Sequence, residues 1–281
     1  MRTHQALLAD WQPLHDERLS ALIEVGLAAG NRTLEHFQNR SLAVDRKGDN
    51  SPVTIADREA ETLTRELLAE RFPQDTIAGE EFAERSGSSE YRWTVDPIDG
   101  TKSFICGVPL YSTLLALEHA GQPLGGMILI PALGQAAVAA IGHGCFYTGN
   151  LAGADLTKPD HATWFPAQVS DCDQLADAVF VTSEVGSFAK RDSAAAYSRL
   201  EQACFLSRTW GDGYGYMMVA TGRADLMVDP ICNAWDVAAI LPILIEAGGR
   251  FSAWSGQESV RSGDGVGSNG KLHDQVLELL S

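Results

Sequence analysis

The chain has 281 residues, of which 45% are hydrophobic and 21% charged, a composition typical of a soluble globular protein with one large or two ordinary domains. Asp and Glu number 37 against 21 Lys and Arg, which gives a formal net charge of −16. Such a surface repels nucleic acids and anionic membranes, so we expect neither as a partner.

The cysteines and the apolar runs indicate where the protein resides. No pair of cysteines has Cys-x-x-Cys spacing, and residues 1–5 lead into no signal-peptide core. No run approaches the roughly 18 apolar residues that a membrane helix needs. An odd, unpatterned set of cysteines is typical of reduced thiols, so we expect a cytoplasmic protein. The set is Cys106, Cys145, Cys172, Cys204 and Cys232.

Two helices are predicted near the N-terminus. Apolar residues at helical spacing predict the first over 16–38. Residues 44–53 are polar and turn-rich, which indicates a loop or hairpin tip of the kind that often carries function. The second helix begins at Thr54 and is closed by Pro73. Thr54 and Asp57 have the spacing of a capping box, so Asp57 has a structural explanation as well as a functional one.

The strongest signal is a strand that ends in two carboxylates. Its apolar face leads into Asp96 and Asp99, and Pro97 between them keeps the chain extended. Gly100 and Thr101 follow, where backbone N–H groups can face an anion as at a helix N-terminus. Because Mg²⁺ shares oxygen ligands with phosphates, this stretch predicts a magnesium site that holds a phosphate. Asp is also common in simple turns and caps, which is the alternative for either carboxylate alone.

Other strand signals surround this centre. A short strand over 76–79 also ends in adjacent carboxylates, Glu80 and Glu81. Strand signals between 111 and 141 are separated by short loops, which predicts an antiparallel meander. After residue 178, strands alternate with helices, which predicts a layered α/β arrangement.

The loop-rich segment 149–172 is the predicted domain boundary. An N-terminal α+β domain, 1–148, would hold the antiparallel sheet and the metal-binding motifs. A C-terminal α/β domain, 149–281, would supply Asp236 and substrate contacts. Asp236 falls where a helix over 235–247 begins, an N-cap position whose carboxylate the helix dipole stabilises. That placement fits a simple cap and equally fits a rigid metal ligand.

Two phosphate-binding motifs are excluded. Residues 265–271 match the start of a P-loop, but Leu272 replaces the Ser or Thr that contacts Mg²⁺, and the strand–helix–strand context is missing. Haloacid dehalogenase-like phosphatases place two aspartates two residues apart. Asp96 and Asp99 are three apart, which argues against an aspartyl-phosphate intermediate.

Four motifs in order resemble the inositol monophosphatase superfamily. The resemblance implies an α-β-α-β-α sandwich, two or three Mg²⁺ ions and hydrolysis of phosphate monoesters without a covalent enzyme intermediate. Together the motifs extend over about 47 to 249, nearly the whole folded chain. They are 54–57, 79–81, 96–101 with Phe104, and 235–239.

The resemblance also implies a set of metal ligands. Glu80, Asp96 and the carbonyl of Ile98 would hold one Mg²⁺. Asp96, Asp99 and Asp236 would hold a second. These oxygen ligands are the type that Mg²⁺ prefers.

The resemblance also implies which residues contact the phosphate and which position the attacking water. The backbone N–H groups of Gly100 and Thr101, with Asp99 beside them, would contact the phosphate. Thr101 and Asp57, together with Glu80, would position and deprotonate the attacking water. In the family this arrangement allows direct attack of the metal-activated water.

Three segments, 95–110, 210–216 and 227–231, resemble the histidinol-phosphatase branch most closely. Where polyol phosphatases of the family place a small residue and a glutamate, this chain has Asp212 and Asp229. Two such carboxylates suit a cationic amine or imidazolium better than a ring of hydroxyls, although both could lie in turns for backbone reasons. The resemblance therefore implies a histidinol-phosphatase of histidine synthesis.

Alternatives remain within and outside this class. The chain could be an inositol-1-phosphate phosphatase or a broad-specificity sugar-phosphate phosphatase. It could also be a catalytically dead binding or regulatory protein on the same fold, although retention of every predicted ligand argues against that. Family members are commonly homodimers, so a homodimer is expected.

Overall fold

The computed structural model describes residues 16–48, 51–151 and 164–281 of the chain. Helix α1 begins after the cap of Asp16, whose carboxylate accepts hydrogen bonds from the backbone N–H groups of Arg18 and Leu19. Among the described residues no helix has the length and apolar character required to cross a membrane. The helices are α1 (Glu17–Leu34), α2 (Ile55–Arg71), α3 (Thr101–Ile105), α4 (Val185–Lys190), α5 (Ala194–Ala203), α6 (Gly213–Ala220), α7 (Ala234–Val237), α8 (Ile240–Glu246) and α9 (His273–Leu280).

In the part of the chain that the structure describes, the larger sheet contains seven strands in sequence order. Its first two strands are parallel to each other, and every later neighbouring pair is antiparallel. A separate hairpin precedes it, formed by β1 (Val44–Arg46) and β2 (Pro52–Thr54). The seven strands are β3 (Thr76–Gly79), β4 (Tyr91–Asp99), β5 (Ser112–His119), β6 (Gln122–Ile130), β7 (Gln135–Ala140), β8 (Cys145–Thr148) and β9 (Phe165–Pro166).

The smaller sheet contains five strands in the order β11-β10-β12-β14-β13. Strand β10 runs parallel to both of its neighbours, whereas β14 is antiparallel to β12 and β13. The five strands are β10 (Val179–Val181), β11 (Leu206–Arg208), β12 (Leu226–Asp229), β13 (Arg250–Ser252) and β14 (Gly265–Ser268).

The two sheets and the helices form five layers. Leu115 and Leu117 of β5 face the α1 side of the larger sheet, where they join the apolar residues of that helix in one core cluster. Leu114 and Ala116, which alternate with them, face the opposite side and pack in a cluster with residues of α6 and α8. This alternation is the two-residue period of a strand buried on both faces.

The smaller sheet completes the sandwich. Its residues Met227 and Phe251 belong to the same middle cluster as α6 and α8. On its other face, Phe180 and Leu226 pack in a cluster with residues of α5 and α9, such as Leu200. The order of layers is therefore helix, sheet, helix, sheet, helix, which confirms the predicted α-β-α-β-α sandwich.

Several element boundaries differ from the sequence predictions. The first helix ends at Leu34 rather than at residue 38, and a single helix predicted over 235–247 is two helices, α7 and α8. Strand β14 was not predicted, because Gly265 and Gly267 weaken the apolar pattern. The side chain of Tyr216 fills the space beside both glycines. Strand β9 follows residue 149 yet pairs with the larger sheet, and the division into 1–148 and 149–281 stays a prediction.

Candidate active site

Three carboxylates meet where β4 ends. Oxygen atoms of Asp96, Asp99 and Asp236 all lie within 4.8 Å of one another. The pairing of β4 with β5 is irregular between Asp96 and Asp99, so both carboxylates leave the strand within one short bulge. The N–H of Ile98 donates to Asp96 Oδ1 over 3.1 Å, which fixes that bulge from within. The fold therefore brings Asp96 and Asp99 together with Asp236, which lies 137 positions after Asp99 in the chain.

Asp99 is held by donors from both halves of the chain. The hydroxyl of Ser112 donates to its Oδ2 over 2.6 Å, and the N–H of Gly213 donates to the same atom over 2.5 Å. A Cβ on Gly213 would lie 2.4 Å from the hydroxyl oxygen of Ser112 and 3.0 Å from Asp99 Oδ2. A residue without a side chain is therefore required where α6 begins.

Asp236 occupies a different capping position from the predicted one. It is the third residue of α7, and Asn233 is the N-cap. The N–H of Asn233 donates to Asp236 Oδ2 over 2.6 Å, which forms a capping box in which Asp236 is the returning side chain. This contact engages Oδ2, so the capping role and membership of the carboxylate cluster coexist.

Burial and mutual repulsion act on the charges of the cluster. Burial, with the charge of Glu80, raises the pKa of Asp96, and burial, with the charge of Asp212, raises the pKa of Asp99. Burial raises the pKa of Asp236 to about 7. Carboxylates that disfavour their own simultaneous ionisation fit a site that a cation completes. Their all-oxygen donor set is the type that Mg²⁺ takes, so these residues fit the metal that the motifs predict.

A helix N-terminus adjoins the cluster. Gly100 has a positive φ of 84° and precedes α3, and it lines the same cavity as Asp99 and Asp236 together with Thr101 and Lys102. The hydroxyl of Thr101 lies 3.1 Å from the carbonyl oxygen of Ile98 and 3.4 Å from Asp57 Oδ1. Thr101 thereby connects the end of β4 to α2.

Asp57 carries out the capping role and also reaches the site. Its Oδ2 accepts hydrogen bonds from the N–H and the hydroxyl of Thr54, over 2.8 and 2.6 Å, which confirms the capping box. Its Oδ1 remains directed at Thr101. Burial raises the pKa of Asp57, so its carboxylate is a stronger base than an exposed aspartate.

Glu80 stands at the edge of the cluster rather than within it. Its Oε1 lies 2.6 Å from Lys47 Nζ, and the same ammonium lies 2.6 Å from Glu81 Oε1. Lys47 directly follows the hairpin strand β1, and the hairpin tip at Asp49 and Asn50 falls outside the described residues. Lys47 was not predicted as a site residue, because the residues it contacts lie more than thirty positions away.

The two carboxylates predicted to contact substrate, Asp212 and Asp229, line the same cavity of about 290 Å³ as Asp99 and Asp236. Both residues are hydrogen-bonded to Ser183. The N–H of Asp212 donates to the hydroxyl of Ser183 over 2.9 Å, and the N–H of Ser183 donates to Asp229 Oδ1 over 3.1 Å. A Cβ on Gly100 would lie 2.5 Å from Asp212 Oδ2, so that carboxylate rests against the backbone of the helix start. Burial raises the pKa of Asp229 to about 6 and also raises that of Asp212.

The backbone of Asp212 also agrees with the alternative interpretation, in which this residue lies in a turn for backbone reasons. Its backbone has φ 58° and ψ −157°, a conformation that is unusual for a residue other than glycine.

At the cavity mouth, Lys102 Nζ lies 2.7 Å from Glu184 Oε2. Sequence analysis did not identify Ser183 or Glu184, because no motif marks them.

The layered fold and the carboxylate-lined cavity define an α-β-α-β-α protein with a candidate metal site. Residues 14–281 match the model of the Inositol monophosphatase family, and the chain belongs to that family. It is therefore a phosphatase, which sets aside the alternative of a binding protein without catalysis.

Relatives of this chain place it nearer to one branch. It is 40% identical to a histidinol-phosphatase of Chlorobaculum parvum over 88% of this chain and 90% of that protein. It is 37% identical to a histidinol-phosphatase of Streptomyces coelicolor over 90% of this chain and 93% of that protein. Among solved structures, it is similar to a Thermotoga maritima IMPase, with a TM-score of 0.81, 30% identity and coverage of 94% and 96%. The two histidinol-phosphatase relatives confirm the resemblance to that branch.

Proposed function

We propose that this protein is a Mg²⁺-dependent phosphatase of L-histidinol phosphate, and that it acts in histidine synthesis. The observation that carries the proposal is the meeting of Asp96, Asp99 and Asp236 beside the helix start at Gly100. Two relatives covered almost end to end carry the name histidinol-phosphatase, which supports the choice of substrate. A homodimeric state and a cytoplasmic location remain proposals of the same kind.

The metal ligands follow from the oxygen atoms at the end of β4. Glu80, Asp96 and the carbonyl of Ile98 would hold one Mg²⁺, and Asp96, Asp99 and Asp236 would hold a second, within a total of two or three ions. When bound, the ions would lower the pKa of a coordinated water and neutralise charge on the phosphate. The raised pKa of Asp236, to about 7, supports a site in which a cation keeps these carboxylates ionised together.

The residues around α3 would bind and orient the reactants. The N–H groups of Gly100 and Thr101 would donate to phosphate oxygens, as helix starts do for anions. Thr101 and Asp57, aided by Glu80, would position the attacking water. The contact of 3.4 Å between Thr101 Oγ1 and Asp57 Oδ1 supports this pairing, because the hydroxyl can pass a proton from the water toward a buried carboxylate.

The substrate would be distinguished by its positive charge. Asp212 and Asp229 line the same cavity as Asp99 and Asp236, and Ser183 is hydrogen-bonded to both of them. A phosphate monoester with a cationic amine or imidazolium would be attracted to these two carboxylates. A ring of hydroxyls would gain less from them, which places inositol phosphates second.

The test is phosphate release from a panel of esters. The panel contains histidinol phosphate, inositol-1-phosphate, fructose-1,6-bisphosphate and adenosine 3′,5′-bisphosphate, each assayed with Mg²⁺ and with chelator. An Asp99→Asn variant serves as the site control. We expect release from histidinol phosphate to dominate and to be lost in both controls. Preference for inositol phosphate would contradict the assignment of Asp212 and Asp229, and release that does not depend on metal would contradict the site itself.

A further inference from the structure

The strand that leads to Glu80 is held at both ends by buried carboxylates paired with arginines. Asp75 immediately precedes β3, and its fully buried side chain is paired with Arg18. At the other end, the fully buried side chain of Glu61, on α2, is paired with Arg65 one helical turn further on. Only the second pair adjoins the candidate metal ligands. The chain therefore contains one pair near the site and a similar pair at the far end of the same strand.

Glu61 bonds to the backbone directly beside Glu80. Its Oε2 accepts a hydrogen bond from the N–H of Glu81 over 2.8 Å, and its Oε1 accepts one from Arg65 Nε over 2.7 Å. A Cβ on Gly79 would lie 2.2 Å from Glu61 Oε1, so the carboxylate rests against the strand backbone at a residue without a side chain. These contacts surround Glu80 on both sides along the chain.

Arg65 extends the support past Glu81. Its Nη2 donates to the carbonyl oxygen of Phe82 over 2.9 Å, and its Nη1 donates to that of Ala83 over 3.1 Å. The guanidinium also lies over the ring of Phe82, 5.8 Å from the ring centre. A planar group with several fixed donors can make these contacts together, which a lysine ammonium cannot do.

The side chain of Glu80 forms an ion pair of 2.6 Å with Lys47. The point from which this side chain extends into the site is set by the backbone from residue 79 to 83. That backbone is fixed by Glu61 and Arg65.

We propose that Glu61 and Arg65 are positioning residues that orient Glu80 and thereby set the affinity of the site for Mg²⁺. This inference rests on the proposed function, because it takes Glu80 as a metal ligand. Neither residue touches substrate or metal; both act through the backbone of residues 79–83. Groups that orient metal ligands from behind typically change metal affinity by one or two orders of magnitude when they are altered.

The first measurement is Mg²⁺ binding by calorimetry. In Glu61→Gln, the side chain keeps its size, but its NH₂ group cannot accept a hydrogen bond. One of the two hydrogen bonds, from Arg65 Nε or from the N–H of Glu81, is therefore lost. In Arg65→Lys, the charge is kept but the two carbonyl contacts are lost. We expect each variant to bind Mg²⁺ about ten-fold more weakly than the wild type. At saturating Mg²⁺, we expect KM for the ester to stay near the wild-type value.

The second measurement is hydrogen exchange in the metal-free protein. The hydrogen bond to Glu61 protects the N–H of Glu81 from exchange with solvent. In the Glu61→Gln variant, we therefore expect this N–H to exchange faster than in the wild type. The readout is independent of turnover. Unchanged protection at Glu81 would overturn the positioning role.

The matched control is Arg18→Lys. Arg18 contacts Asp75 through Nε and Nη2, over 2.9 and 3.1 Å, and Asp75 also accepts from Ser89 and Trp93. This variant, like Glu61→Gln and Arg65→Lys, alters a buried ion pair, so we expect all three to lower the melting temperature. Arg18→Lys should nevertheless leave Mg²⁺ affinity and Glu81 exchange unchanged. An equal loss of Mg²⁺ affinity in Arg18→Lys would overturn the inference, because the effect would then be general destabilisation. If the wild type binds no Mg²⁺, the proposed function fails, and exchange at Glu81 still decides whether Glu61 fixes this backbone.

Discussion

The backbone N–H of Gly213 donates a 2.5 Å hydrogen bond to Oδ2 of Asp99. The two residues are 114 positions apart, and their contact joins the end of a strand in the larger sheet to the first residue of α6 in the middle layer. The carboxylate that lies in the candidate metal cluster is thus also a contact between the two halves of the sandwich. Changes at this contact should affect both stability and activity.

Gly213→Ala should damage the site without altering any titratable group. The added Cβ would lie 2.4 Å from Ser112 Oγ, so the hydroxyl or the start of α6 must move away from Asp99. We expect a loss of roughly 1–3 kcal/mol in the free energy of unfolding, together with a reduced kcat. Chemical denaturation and phosphate release measure the two effects. Gly186→Ala is the control, because a Cβ there meets its nearest atom at 3.5 Å; equal effects in both variants would contradict the packing argument.

Asp236→Asn should stabilise the metal-free protein while it abolishes activity. The folded-state pKa of Asp236 is raised from 3.8 to about 7, so the folded protein releases this proton less readily than the unfolded chain. The contribution of this group to the stability of the metal-free wild type is therefore present below about pH 4 and is lost as the pH rises to 7. Asparagine cannot ionise, so at pH 8 we expect the metal-free variant to be more stable than the metal-free wild type.

Thermal unfolding with chelator and with Mg²⁺ tests that prediction. Mg²⁺ should raise the melting temperature of the wild type, because a ligand that binds only the folded state stabilises it. The increase should shrink in Asp236→Asn. A metal-free variant that is less stable than the wild type at pH 8 would show that the carboxylates do not repel one another as described.

Asp229→Asn should change substrate preference more than catalysis. The amide oxygen can still accept from the N–H of Ser183, so the local structure is kept while the charge is lost. We expect kcat/KM for histidinol phosphate to fall by about ten- to a hundred-fold, because a charged hydrogen-bond partner is removed. The value for inositol-1-phosphate should change little. Asp274→Asn, an exposed carboxylate paired with Arg250, controls for net charge, and an equal fall for both substrates would contradict the selectivity role.

His273 should make the fold sensitive to acid. Its buried ring lies between the hydroxyls of Ser252 and Ser268, each 2.8 Å away, and burial, with the charge of Arg250, lowers its pKa from 6.5 to about 4. The unfolded chain then binds this proton more readily than the folded protein between pH 6.5 and 4. Stability from this group is full above pH 6.5 and decreases by roughly 3 kcal/mol on acidification to pH 4.

Denaturant titrations from pH 4 to 8 measure this dependence. We expect His273→Gln to flatten the slope below pH 6.5, even if its overall stability is lower. His119→Gln, at a side chain that is 45% exposed, should keep the wild-type slope. An unchanged slope in His273→Gln would contradict the assignment of the acid sensitivity to His273.

Much of the candidate site was predictable because its residues follow one another in the chain. Asp96, Asp99 and Gly100 lie within five residues, so strand and turn chemistry alone placed them together. Asp57 was predictable as a cap, and the structure confirms the cap while adding the contact with Thr101. Oδ2 of Asp57 accepts the hydrogen bonds of the cap, and Oδ1 of the same carboxylate contacts Thr101.

The residues that sequence analysis missed act over long sequence distances. Lys47, Ser112 and Ser183 contact site carboxylates through tertiary packing, and a single sequence gives no pairing information for them. The fifth strand of the smaller sheet was missed for a local reason, since two glycines of β14 make room for Tyr216. The sandwich itself was predictable only through the family resemblance, because alternating elements do not specify the order of layers.

The central claim is that Asp96, Asp99 and Asp236 form a metal centre. The most direct measurement is the anomalous difference map of a crystal soaked in Mn²⁺, which accepts the same oxygen ligands as Mg²⁺. The account predicts at least one strong peak between the three carboxylates, and loss of that peak in Asp96→Asn. A wild-type map with no peak at this cluster, or with peaks only elsewhere on the acidic surface, would contradict it.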